Sequence, residues 1–359
     1  MRAWQITAIS SLRKRGASFC YHRAINIHRE ALPMPKTTLL PLLANGEYRS
    51  GQDLAEALGI SRTAVWKQLN NLGELGLEID SVKGRGYRIP GGIDLLDAAA
   101  VQSALRPEAA ALLSRLEVLE TIDSTNAQAL RLMEQGAGAG LACTAEQQSA
   151  GRGRRGRTWV SPFARNLYLS LAWEYQQGAA ALEGLSLAVG VGVARALASC
   201  GLPPVQLKWP NDVIFEGSKL GGVLLEMAGD AAGVCQVVVG VGLNVAMPDA
   251  TARDIDQAWT DIHSISGGQH PGRSALLAAL LNELLPLLAG FEDGGFAPWR
   301  EQWQALDAFA GQAVVLHTGG QPISGVARGV DARGALQLET AAAGMQSVFG
   351  GEISLRAAP

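Results

Sequence analysis

Between Thr38 and Leu77 apolar residues recur at helical spacing, with polar breaks at "ANGEYRS" and "GISR". This pattern predicts three short helices within about forty residues, a compact helical unit. In "SGQDLAEALGISRTAVWKQLNNLGELG", Ala55, Gly59 and Val65 stand at the spacing where a small residue and a turn glycine let two helices cross. Ser61 suits the N-cap of the second of them. The next stretch, "LEIDSVKGRGYRIPG", alternates apolar and polar residues around a Lys83-Gly84-Arg85-Gly86 turn, as a basic β-wing does. Residues 34–92 therefore read as a winged helix-turn-helix. "PGGID" breaks the pattern and is expected to separate two independent cores. Over residues 93–306 helices alternate with short apolar strands, a mixed α/β domain around one sheet. Gly184–Cys200 reads there as a buried helix, "VQLKW" and "GGVLLEM" as strands, and "CQVVVGVGLNV" as a strand opening into a glycine-rich turn. After Ala310 the pattern shifts to alternation with turns, which predicts about five short strands in a small barrel over residues 307–359.

Composition narrows the class. The chain has 359 residues, 48% hydrophobic and 18% charged, with a formal net charge of −3. Such a chain is globular with two or three domains, and a disordered arginine-glycine protein is excluded. With no global positive charge, nucleic-acid binding has to come from a local patch. Residues 34–90 hold seven basic and six acidic side chains, which on charge alone also fits a protein-interaction module. The bases Arg62, Lys67, Lys83, Arg85 and Arg88 gather on the second helix and the wing, and this favours DNA contact by Arg62, Thr63, Lys67, Lys83 and Arg85. Cys20, Cys143, Cys200 and Cys235 form no CxxC pair, which points to a reducing, cytoplasmic compartment without structural zinc. The apolar "LSLAVGVGVARALASCG" is too short for a span and carries Arg195, so no membrane partner is expected. Residues 1–33 carry six basic residues against Glu30 without periodicity and read as a basic extension, disordered or not native.

"GRGRRGRTW", Gly151–Trp159, sets four arginines on a glycine-rich backbone. It fits an RNA-binding segment, a linker, or a loop closing over an anion; strand-like segments on both sides, "LACTAEQQ" and "NLYLSLAW", favour the last. "KWPNDV" offers Lys208 for a phosphate and Asn211 and Asp212 as oxygen ligands for a phosphate-bound Mg²⁺, although Pro-Asn-Asp alone is an ordinary turn. "STNAQALRLM" starts a helix with Thr125 and Gln128 at capping-box spacing, and capping alone accounts for them. Gly240-Val241-Gly242 lacks the third glycine of a dinucleotide site.

In this order behind a winged helix, "GRGRRGRTWVSP", "KWPNDV", "SKLGGVLLE" and "VVVGVGLNV" closely resemble the bifunctional biotin protein ligase/biotin operon repressor (BirA) family, over about residues 36–356. The resemblance implies an α+β multidomain fold: a winged helix-turn-helix, a central catalytic domain of the biotin/lipoyl ligase type, and a small SH3-like β-barrel. It implies that biotin and ATP, with Mg²⁺, give biotinyl-5′-AMP and that a lysine of a biotin carboxyl carrier protein receives the biotinyl group. It also implies a homodimer formed through the central sheet that binds operator DNA and represses biotin synthesis. Carried onto matching positions, it assigns biotin to Ser124, Thr125, Asn126, Gln148, Arg152, Gly153, Arg154 and Lys219. ATP falls to Lys208, Asn211, Asp212, Asn244 and Trp259, with Asp212 toward Mg²⁺ and with Lys219 and Arg154 at the chemistry. The alternatives are a lipoate–protein ligase and a regulator without activity.

Overall fold

The structure is a computed structural model that describes residues 39–229, 233–317, 321–350 and 354–357. The basic extension expected at residues 1–33 lies outside the described residues, as does Cys20.

Helices α1 (Leu40–Leu43), α2 (Gly51–Leu58) and α3 (Arg62–Leu72) precede a hairpin of β1 (Asp80–Val82) and β2 (Gly86–Arg88). Ser50 and Ser61 cap α2 and α3 by accepting the backbone N–H groups of Asp53 (3.0 Å) and Ala64 (3.2 Å). Gly59 closes α2 at φ +63°, in the left-handed region that lets the chain reverse toward α3. The apolar stripe predicted from spacing is buried: Leu54, Val65, Leu69 and Leu72 pack with Leu39, Leu40 and Leu43.

This core clusters apart from that of the central region, and two residues from beyond the "PGG" break join it. Phe163 and Ala164, which follow the arginine loop, are buried in it. Past Gly92 the chain is tied to both sides: the Ile93 N–H donates to Ala44 O (2.9 Å), and the Leu96 N–H donates to the Glu146 carboxylate (2.7 Å). Arg273, 1% exposed, pairs with Glu146 at 2.6 Å, and its guanidinium also donates to the Asp94 and Asn166 carbonyls. A buried arginine is tolerated because its donors meet acceptors on several sides.

The central region runs α4 (Ala98–Ser103), α5 (Pro107–Leu112), β3 (Arg115–Ile122), α6 (Thr125–Glu134), β4 (Leu141–Gln148), β5 (Leu167–Tyr175) and α7 (Leu185–Ser199). It continues with β6 (Gln206–Lys208), β7 (Asp212–Phe215), β8 (Ser218–Gly229), β9 (Cys235–Leu243), α8 (Ile262–Ile265), α9 (Arg273–Gly294) and α10 (Arg300–Leu306). Its seven strands order as β3-β4-β5-β9-β8-β7-β6, with only β3 and β4 parallel, joined through α6. One face of the sheet is covered by α7 and α9. On the other, α6 covers the β4, β5 and β9 end around Ala129, Leu132, Cys143 and Val238, and the remainder of that face opens into a cavity. Helix α9 is long and apolar enough to cross a membrane, a segment the apolar-run reading passed over. Its Leu277, Leu281, Leu284 and Leu288 are instead fully buried in the central core.

The last five strands are β10 (Ala313–His317), β11 (Ile323–Val330), β12 (Leu336–Thr340), β13 (Gly344–Val348) and β14 (Ser354–Ala357). They form an antiparallel sheet in the order β13-β12-β11-β10-β14. Val314, Leu316, Leu338 and Leu355 belong to the same apolar cluster as α7 and α9, so this β domain is packed onto the central one.

Candidate active site

The cavity, about 480 Å³, has a floor made by absent side chains. Along β9, Val237, Val239 and Val241 point into the core under α7 and α9, while Val238, Gly240 and Gly242 face the other way. Val238 packs under α6, and beyond it Gly240 and Gly242 leave bare backbone. In register beside Gly242 lie Tyr168 of β5 and Gly222 of β8; beside Gly240 lie Ser170 and Leu224. The expected glycine-rich turn is therefore extended strand. Its glycines are explained by crowding: a Cβ on Gly240 would sit 2.4 Å from Asn126 Oδ1, and one on Gly242 2.7 Å from the Trp159 ring.

At the α6 end, buried polar groups converge. Gln148 Oε1 accepts from the Thr125 N–H at 2.9 Å and lies 3.2 Å from Thr125 Oγ1. Asn126 Nδ2 donates to Glu226 at 2.7 Å; Asn126 Oδ1 can only accept, so the Ser170 hydroxyl 2.6 Å away donates to it. The expected capping box does not form: Ser124 is the N-cap without a side-chain bond, and Thr125 and Gln128 turn to Gln148 and Glu117 instead. Tertiary acceptors are nearby, so the helix start is held from outside. Ser170 and Glu226 were not singled out from sequence. A lone serine within the apolar "NLYLSLAW" was the available signal for Ser170; Glu226 had none.

Over this floor bends the arginine loop, a small closed hairpin in which Arg152 bridges Thr158 and the Gly153 N–H donates to Arg157 O at 2.8 Å. Three of the cations named from sequence hold an internal partner. Arg152 meets Glu226 at 3.1 Å, Arg154 donates to Asn211 Oδ1 at 2.8 Å, and Lys219 meets Asp212 at 2.7 Å. Burial pulls the Arg154 guanidinium down from its ordinary value, with Asp212 opposing. Lys208 is likewise lowered, first by burial, against the pull of Asp212; its Nζ stands 5.9 Å from the centre of the Phe309 ring. Phe309 and Arg356, from the C-terminal part of the chain, line the cavity beside Lys208. No local pattern marked either of them.

Asn244 and Trp259 lie apart from the main cavity, with Trp159 and Lys219, around a space of about 50 Å³. That volume holds a few waters but no purine ring. The Asn244 amide N–H₂ donates to Thr260 O at 3.0 Å and also reaches Lys219 O at 3.4 Å, which ties β9 to the Trp259 segment. Asp212 and Asp256 are the acids that line the cavity. Among the described residues no three His, Cys, Asp or Glu side chains gather as a metal site, so a cation here would rest on Asp212 and on phosphate oxygens.

This fold and pocket fall in one class. Residues 118–244 match the biotin/lipoate A/B protein ligase family, 36–88 a helix-turn-helix domain, and 309–356 the biotin protein ligase C-terminal domain. The chain is 42% identical over 320 residues to the bifunctional ligase/repressor BirA of Escherichia coli (strain K12), covering 89% of this chain and 97% of that one. It is 38% identical to the biotin–[acetyl-CoA-carboxylase] ligase of Paracoccus denitrificans, covering 66% of this chain and 98% of that one. The biotin protein ligase of Aquifex aeolicus, solved with biotin and ATP, superposes with a TM-score of 0.58 at 30% identity, over 68% of this chain and 99% of that one. The chain belongs to the bifunctional biotin ligase/repressor family.

Proposed function

We propose that the chain joins biotin to ATP as biotinyl-5′-AMP, passes the biotinyl group to a lysine of a biotin carboxyl carrier protein, and represses biotin synthesis as a DNA-binding protein. One observation carries the reading: a largely buried polar cluster lines the same bare-backbone trough as Lys219, Arg154 and Lys208. A ureido ring needs donors and acceptors together, and Ser124, Thr125, Asn126 and Gln148, which line the cavity, offer both. The glycine floor suits an apolar tail laid flat against it.

In the first step a carboxylate oxygen of biotin attacks the α-phosphorus of ATP; the new O–P bond forms as the bond to pyrophosphate breaks. Two anions must approach, so fixed cations lower the barrier. Lys219 and Arg154 serve this role, and the pairing of Lys219 with Asp212 marks it as a held charge, not a nucleophile. Arg152 and Gly153 close the loop over the intermediate. Lys208 takes a phosphate oxygen, Asn211 and Asp212 would hold a phosphate-bound Mg²⁺ that would neutralise phosphate charge, and Asn244 and Trp259 face the adenine. In the second step the neutral amine of the carrier lysine attacks the acyl carbon and AMP leaves.

The division at 92/93 and 306/307, a cytoplasmic site of action and a homodimer through the central sheet are part of the same reading. Met227 and Val234, exposed near the ends of β8 and β9, support the last of these. Arg62, Thr63, Lys67, Lys83 and Arg85 are the DNA contacts in this scheme. Incubation with ATP, Mg²⁺ and either biotin or lipoate, followed by mass spectrometry, tests the enzyme: biotinyl-5′-AMP is expected. Lipoyl-AMP alone points to a lipoate ligase, and no adenylate to a regulator without activity.

A further inference from the structure

Helix α3 buries Val65, Leu69 and Leu72 and turns Arg62, Thr63, Trp66, Lys67 and Asn70 to solvent. Those five positions recur every three or four residues and make one stripe. Trp66 lies in its middle, one turn beyond Arg62, and is 57% exposed. It takes no part in the winged-helix core. In the described residues up to Ile93, the only other large apolar side chain so exposed is Val82, on the wing strand beside the basic turn. An indole left in water between two cations contributes nothing to the fold, and phosphate attraction alone has no use for it.

We propose that Trp66 is a sequence-reading residue that packs its indole against the 5-methyl group of a thymine in each half-site of the bound duplex. This rests on the repressor reading above. The major groove displays one apolar group, the thymine methyl, and the N-terminal half of a recognition helix is the part that meets base edges. Arg62 and Lys67 flank Trp66 and bring it to the groove by their charge. The wing supplies charge in a set place, since Arg85 and Arg88 lie 4.1 and 4.6 Å from the centre of the Tyr48 ring. Phosphate and groove contacts by the wing position the protein, and the indole adds the discrimination that charge cannot.

Full-length protein with saturating biotin and ATP is used to select duplexes from a randomised pool, and each thymine of the enriched site is then replaced by deoxyuridine, which lacks only the methyl. One position per half-site is expected where this replacement weakens wild-type binding about fourfold, the worth of one buried methyl. Trp66→Ala binds the selected site about tenfold more weakly, the scale of one mismatched base pair, and treats thymine and deoxyuridine there alike. Trp66→Lys, which adds charge to the same stripe, retains duplex affinity yet selects sites without the thymine. Both variants are expected to melt at the wild-type temperature because the side chain is exposed. Wild-type indifference to deoxyuridine at every position overturns the contact, as does a Trp66→Ala or Trp66→Lys protein that enriches the same bases as wild type. If wild-type protein enriches no duplex at all, the repressor reading fails and the thymine contact with it.

Discussion

Strand β9 and the arginine loop both bring glycines to the cavity. In β9, Gly240 and Gly242 have ordinary extended backbone, and any Cβ there would strike Asn126 or Trp159. In the loop, Gly156 sits at φ +69° and an added Cβ would meet nothing within 4 Å. Arg155 beside it also holds a positive φ, +61°. The floor uses glycine for lack of room, the rim for backbone freedom. A floor of this kind is shape-selective, whereas the rim has space and backbone freedom to tolerate change. Chemistry and recognition should therefore be most sensitive at the floor, and retention of the intermediate at the rim.

The largest effect is expected at the floor cation. Lys219→Ala should lower adenylate formation about 100-fold with the fold intact, because one charge at the reacting phosphate is lost. Wild-type pyrophosphate exchange by this variant would remove Lys219 from the chemistry. Gly240→Ala comes next. Its methyl must push Asn126 off its bonds to Ser170 and Glu226, and overpacking of this size costs about 1–3 kcal/mol, so biotin affinity by calorimetry should fall roughly 10- to 100-fold.

At the rim, Arg154→Gly should speed release of the adenylate about 10-fold or more, the loss of one charged hydrogen bond. The freed mixed anhydride then labels bystander proteins such as albumin; if only the carrier lysine is labelled, the loop is not a lid. Lys208 gives a pH test. Burial disfavours its charge, so it deprotonates below the ordinary lysine range. ATP affinity should accordingly weaken as pH rises through that lowered pKa, by up to about tenfold, the worth of one charged contact. Lys208→Arg should move the loss to higher pH in a KM(ATP) profile. Gly156→Ala is the smallest: strain at a positive φ costs about 1 kcal/mol, and biotin affinity should stay within about threefold of wild type. A loss as large as that of Gly240→Ala would erase the distinction between floor and rim.

Much of this was legible in linear order. Ser61 and its helix, the Lys83–Gly86 wing turn and the alternation after Ala310 are local patterns, and local patterns determine local elements. The motif residues that line the cavity stand in short stretches of sequence, because each stretch is one turn, loop or helix start. Thr125 and Gln128 misled for the same reason: a capping box is a local rule, and Gln148, 23 residues away, offered Thr125 a better-placed acceptor. The glycine pair in β9 likewise looked like a turn, because sequence shows the missing side chain and not the Asn126 or Trp159 atoms that require it.

By itself, then, the sequence determined the helices and strands, the three-part order along the chain and the chemical kinds of group available, since periodicity and turn chemistry act over a few residues. The tertiary structure decided which groups meet. Strand order β5-β9-β8 sets Ser170, Gly240 and Leu224 side by side and lets Glu226 join Asn126 to Arg152. Packing of the last sheet carries Phe309 and Arg356 to the cavity of the central domain, and Phe163 closes the winged-helix core from the far side of the arginine loop. Such contacts join residues tens to nearly two hundred positions apart, as with Asp94 and Arg273. No local periodicity specifies them; they arise when separately formed elements bury their apolar faces against one another.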